Sequence, residues 1–194
     1  MNGPEALSQR LWLVRHARPQ VAPGICYGAL DIPADAAATQ AAAQRLAAAL
    51  PAQALVFHST LQRCEQLAHA LQAQRPDLAP NPDARLREMD FGRWEGQPWD
   101  AIGQAAVDAW TADFAAHSPG GGESLASVLA RVAAALRFAA SQASQDVVWI
   151  THAGVARCAA WLQAPGPAKL PRADEWPLAA PSFGNWEIRG LRRD

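Results

Sequence analysis

Apolar residues fall along this chain in short unbroken runs, separated by longer stretches with a helical period. Leu11-Trp12-Leu13-Val14 is apolar at four successive positions, bounded by Arg10 and Arg15. A run without alternation predicts a strand covered on both faces. Ala54 to Phe57 and Val147 to Ile150 repeat the pattern, and Phe183 to Arg189 reads as a last strand. Residues 36–50 are strong helix formers stopped by Pro51. Ser59-Thr60 predict the N-cap of a second helix reaching about Gln74. Ser124 precedes Leu125, Val128, Leu129, Val132 and Leu136, one face of a helix. Ala153 to Leu162 reads as the helix after the third strand. From Asn81 to Gly122 the pattern is broken by Pro82, Gly92, Gly96, Pro98, Gly103 and a Pro119-Gly120-Gly121-Gly122 run. Strands alternating with helices of this length predict an α/β fold, a three-layer α/β/α sandwich with a mostly parallel central sheet.

Composition narrows the class. At 194 residues the chain is expected to form a single domain over residues 1–194, with an irregular, lid-like segment at about 88–123. A formal net charge of −1 with 18% charged residues speaks against a nucleic-acid binder, which carries a basic excess. No apolar run is long enough to span a membrane, and Met1 to Arg10 contains Glu5 and no apolar core of a secretory leader. Three cysteines, Cys26, Cys64 and Cys158, lack CxxC spacing. They are expected to be small buried residues in a reducing, cytoplasmic setting, neither a disulfide framework nor a zinc site.

In a parallel sheet, ligands bind beyond the carboxyl ends of the strands. Here the first strand ends in Arg15-His16. The second ends in His58-Ser59, with Arg63 in the first turn of the next helix, and the third ends in Thr151-His152 at a helix start. Two arginine forks, two histidines and free helical N–H groups on one rim would suit a compact dianion. Each strand-end histidine taken alone reads equally as a structural group.

The motifs at these positions resemble those of the histidine phosphatase superfamily, the phosphoglycerate mutase-like phosphohydrolases. Leu13-Val14-Arg15-His16 is similar to its signature, and Ser59-Thr60-Leu61-Gln62-Arg63-Cys64 to its second block. Glu88-Met89-Asp90-Phe91-Gly92-Arg93-Trp94-Glu95-Gly96, Gly121-Gly122-Glu123-Ser124 and Thr151-His152-Ala153-Gly154 follow in the expected order. The resemblance implies a phosphoglycerate mutase-like fold and His16 as the nucleophile that becomes phosphohistidine. Arg15, Arg63 and His152 would hold the phosphate, with Ala153 beside them. Glu88 would be the acid that protonates the leaving alcohol and then the base that activates water. No metal and no cofactor are implied. The physical demands agree: phosphoryl transfer asks for in-line placement and positive charge, here from the arginines and a protonated His152.

Three departures reshape the first loop. Ala17 stands where the family has glycine, Arg18-Pro19 replaces Glu-Thr, and Ala22 takes the place of a phosphate-binding asparagine. Arg18 is expected to compensate by contacting substrate. Cys26-Tyr27-Gly28-Ala29-Leu30-Asp31-Ile32-Pro33 resembles the corresponding segment of α-ribazole phosphatases, with Tyr27 as a pocket residue. Trp94, Trp99 and Trp110 read as core or lid packing ahead of a stacking platform, and His58, His69 and His117 as structural or exposed. The expectation is a phosphoric monoester hydrolase acting on a small phosphorylated metabolite, α-ribazole 5′-phosphate first, and releasing inorganic phosphate. The alternatives are a broad-specificity phosphatase and a non-catalytic phosphate-ligand binding protein.

Overall fold

The computed structural model describes residues 9–144, 146–165 and 169–191. The leader reading over residues 1–8 and the Pro-rich stretch at 166–168 lie outside them. Five strands form one sheet in the order β3-β2-β4-β1-β5. β1 (Arg10–Arg15), β2 (Leu55–His58) and β4 (Asp146–Thr151) are the three unbroken apolar runs. They are mutually parallel, β4 lying between the other two. β3 (Asn81–Pro82) adds a two-residue edge to β2. β5 (Trp186–Gly190) closes the other edge and runs antiparallel to β1.

Alternation along the strands divides two cores. Leu11, Leu13, Val147 and Trp149 face helices α4 (Leu125–Ala140) and α5 (Ala153–Gln163), where Val128, Val132 and Val155 meet them. Trp12, Val14, Val56, Val148 and Ile150 face α1 (Ala36–Ala49) and α2 (Gln62–Gln74), through Leu46, Leu67 and Leu71 among others. The molecule is therefore an α/β/α sandwich. Each of these fully buried aliphatic side chains contributes about 1.5–3 kcal/mol by leaving water. No helix among the described residues is long and apolar enough to cross a membrane.

Two local expectations need correction. α2 does not start on a Ser59-Thr60 cap: its N-cap is Leu61, whose side chain caps nothing. Ser59 Oγ is instead committed to His152 and to the Leu61 N–H. The free Gln62 N–H at the helix start donates to Asp31 Oδ1 at 2.7 Å, a cap supplied from 31 residues away. Within the irregular segment, short 3-10 turns occupy Gly92–Trp94, Trp99–Ala101 and Pro119–Gly121, and an unforeseen helix, α3, covers Gln104–Ala112.

Candidate active site

Because β1, β2 and β4 are parallel, their carboxyl ends share a rim. His16 follows β1 directly, and its N–H donates to the Thr151 carbonyl at the end of β4. Ser59 follows β2 and donates its N–H to the Ile150 carbonyl. The same sheet edge thus holds the His16 and His152 rings with centroids 5.1 Å apart. Both side chains are buried.

The orientation of His16 fixes its chemistry. Its Nδ1 lies 2.7 Å from the Ala17 carbonyl oxygen, which can only accept, so Nδ1 carries the proton. Nε2 keeps its lone pair. Burial, and then the Arg63 and Arg15 charges, pull the His16 pKa from 6.5 down to about 3. His16 is therefore a neutral imidazole with a free Nε2, the form a nucleophile needs. His152 bonds through Nε2 to Ser59 Oγ at 2.8 Å. Its pKa also lies well below the ordinary value, through burial and then the His16 and Arg63 groups. The expected protonated His152 is thus corrected to a neutral ring, which an adjacent dianion would favour charging.

Arg63, the second residue of α2, is fully buried, and among the described residues it is held without a carboxylate. Its guanidinium donates to the Leu30 and Gly28 carbonyls and lies 5.6 Å from the Tyr27 ring centroid. Arg15 donates to the Pro181 carbonyl and stacks over Phe183 at 3.8 Å. In both, Nε is buried with no acceptor from the protein. Two charges kept by carbonyls and rings, with donors to spare, form an electropositive socket.

Glu88 is brought in by a separate route. Thr151 Oγ1 donates to the Leu86 carbonyl, and Arg131 of α4 donates to the carbonyls of Arg85, Arg87 and Glu88 while pairing with Glu123 at 2.9 Å. Glu88 Oε2 accepts the Gly154 N–H at 3.0 Å, in the first turn of α5. The helix start expected to present its N–H groups to phosphate therefore gives one of them to Glu88, a carboxylate drawn to the positive end of the helix.

Arg15, His16, Arg63, Glu88, Ala153 and Tyr27 line a cavity of about 380 Å³. Phe91, Trp99, Trp110, Phe114 and Trp176 line it too, in contact with one another through their rings. Trp99 and Trp110 are thus pocket walls and not only packing, while Trp94 is buried. Arg18 is exposed and does not line the cavity; its backbone carbonyl accepts the Asp35 N–H. The Pro19 to Ala34 bridge fixes this strand of the loop and turns the Arg18 side chain outward. His58 is buried outside the cavity, its Nδ1 bonded to the Ser59 carbonyl.

The sequence profile of the histidine phosphatase superfamily (branch 1) matches residues 11–181. The chain belongs to this superfamily. Among solved structures, a mycobacterial glucosyl-3-phosphoglycerate phosphatase in complex with VO3 is 30% identical, with a TM-score of 0.74 over 93% of this chain and 92% of its own. A structure described as mycobacterial hydrolase 2 is 28% identical, with a TM-score of 0.74 over 93% of this chain and 81% of its own. A protein from Thermus thermophilus is 30% identical, with a TM-score of 0.67 over 92% of both chains. No curated protein sequence matches.

In this member of the superfamily, sequence reasoning missed the roles of four residues. Arg131, from a helix pattern read only for its apolar face, and Glu123, noted only as part of a motif, brace the Glu88 loop. Glu95, noted only as part of a motif, accepts the N–H groups of Gly28, Ala29 and Leu30. Arg157, one turn into α5, lines the cavity and, among the described residues, donates to the Leu178 carbonyl alone. Its position one turn beyond His152 was the available signal.

Proposed function

We propose that the protein is a phosphoric monoester hydrolase that works through phosphohistidine, acting in the cytoplasm on a small phosphorylated metabolite. The observation that carries this is His16, a neutral buried imidazole with Nε2 free beside two arginines that have no carboxylate partner. Nε2 attacks phosphorus in line, and the bond to the leaving oxygen breaks. Arg15, Arg63 and His152 take the equatorial oxygens. Glu88 delivers a proton to the departing alkoxide, then accepts one from the water that cleaves the phosphorus–nitrogen bond. Inorganic phosphate leaves. A non-catalytic binder would need neither a deprotonated Nε2 nor Glu88 at the same cavity.

For the alcohol half, α-ribazole 5′-phosphate is the proposed substrate. The Cys26 to Pro33 segment supports it, and so do the aromatic side chains lining the cavity, on which its planar base would stack. A second reading is a broader phosphatase that accepts acidic metabolites. Arg157 favours it, a cavity cation without a carboxylate partner among the described residues, as does the likeness to a glucosyl-3-phosphoglycerate phosphatase.

The test is phosphate release from α-ribazole 5′-phosphate beside sugar, nucleotide and glycerate phosphates, with wild type and His16→Ala. A preference of ~10²-fold in kcat/KM, about 2.7 kcal/mol, is expected, together with a loss of ~10³-fold or more in the variant. Flat activity across the panel would support the broader reading. Near-wild-type turnover by His16→Ala would overturn the mechanism.

A further inference from the structure

The chain returns to the end of β1 through a tight turn over Ser182 to Asn185. The Asn185 N–H donates to the Ser182 carbonyl at 3.0 Å, and Gly184 between them takes a φ of +70°, which favours glycine. The turn is clamped to Arg15 and His16. The Gly184 N–H donates to the Arg15 and His16 carbonyls at 3.1 and 3.0 Å, and the Arg15 N–H donates back to the Asn185 carbonyl at 2.9 Å. From α1, Arg45 donates to the Gly184 carbonyl at 3.0 Å. The strand expected over Phe183 to Arg189 therefore begins only at Trp186, and Phe183 stays in the turn.

This turn presents one ring to the site. The Arg15 guanidinium carbon lies 3.8 Å from the Phe183 ring centroid, and the His16 ring centroid lies 5.6 Å from it. Phe183 does not line the cavity, whereas the two residues it touches do. A carboxylate in its place would hold the guanidinium and cancel the charge that a phosphate needs. The face of an aromatic ring attracts the cation through its quadrupole and leaves the net charge whole. It covers one face of the guanidinium, so the planar fork keeps its donors at the edge. One of them, Nη1, goes to the Pro181 carbonyl at 3.2 Å, beside the same turn.

We infer that Phe183 is a positioning residue for phosphoryl transfer, its ring holding the Arg15 guanidinium beside the His16 imidazole without neutralising it. This rests on the phosphomonoesterase reading and adds to it what keeps one of the two socket cations in place.

The test measures inorganic phosphate binding by calorimetry to wild type, to Phe183→Leu, and to the chain carrying 3,4,5-trifluorophenylalanine at position 183. The fluorinated ring keeps its shape and loses most of its negative face. Both changes are expected to weaken phosphate binding by about tenfold. Both should also lower kcat/KM by the same factor on an alkyl phosphate as on p-nitrophenyl phosphate, because Arg15 holds the transferred group and not the leaving oxygen. Wild-type affinity in the fluorinated chain would reduce Phe183 to packing and overturn the inference, and this comparison stands even if Phe183→Leu fails to fold. A loss confined to one ester would overturn it too. If wild type binds phosphate yet hydrolyses neither ester, the phosphomonoesterase reading falls, and the binding comparison still decides whether Phe183 holds Arg15.

Discussion

Gly154 occupies the second position of α5, and a Cβ placed there would lie 2.2 Å from Glu88 Oε1. The residue is glycine because the carboxylate occupies the space a side chain would fill. This contact links a motif residue with no reactive group of its own to the placement of the acid. Two substitutions should therefore behave alike. Glu88→Gln removes the proton, and Gly154→Ala pushes the carboxylate away. Each is expected to lower kcat on alkyl phosphates by ~10²-fold or more, and on p-nitrophenyl phosphate by less than about tenfold, because a nitrophenolate leaves without protonation. Equal losses on both substrates would remove Glu88 from the acid role. At this scale the sequence was readable where basic residues end successive strands within motifs that resemble a family's, as at His16 and Arg63. It was not readable at Gly154, whose value lies in the space it leaves for Glu88.

Between elements, Glu95 does the most with one side chain. Its two oxygens accept the N–H groups of Gly28, Ala29 and Leu30 from the loop after β1, and of Phe91 from its own segment. The carbonyls of Gly28 and Leu30 in turn hold the Arg63 guanidinium. The chain of contacts runs from the irregular segment, through the first loop, to the phosphate socket. Glu95→Ala is expected to cost about 2–3 kcal/mol in urea unfolding and to weaken inorganic phosphate binding at least tenfold. Loss of stability with unchanged phosphate affinity would show that Arg63 does not depend on this loop. The same region marks where sequence reading ran out. Strands β1, β2 and β4 were legible because burial on both faces leaves an unbroken apolar run, α1 and α4 because their formers and caps are local, and α5 because its helix formers follow β4 directly. α3 was not, since it buries no residue fully and stays attached through the aromatic contacts of Trp110. The start of α2 was misplaced because its cap, Asp31, is remote in sequence and Ser59 is bound to His152.

For the molecule as a whole, two neutral buried histidines tie stability to acidity. The folded His16 pKa is about 3 against an ordinary 6.5, and His152 shifts the same way. Below pH 6.5 the unfolded chain takes up protons that the folded chain refuses, so stability falls as pH drops from 6.5 toward 3 and is undiminished above it. The slope is up to about 1.4 kcal/mol per pH unit for each group. Urea unfolding at pH 7 and pH 5 should show wild type losing about 2 kcal/mol more than His16→Asn, whose amide can still donate to the Ala17 carbonyl. Equal losses would mean that His16 is not held neutral. The strand order has a further consequence, for synthesis of the chain. β1 and β2 never pair with one another, because β4, made after more than two-thirds of the chain, lies between them. Until Asp146–Thr151 leaves the ribosome, Leu11–Val14 and Leu55–His58 each wait with an unpaired edge on the β4 side, open to neighbouring nascent chains. A chain truncated before β4 is therefore not a smaller folded domain but two sticky strands awaiting a partner.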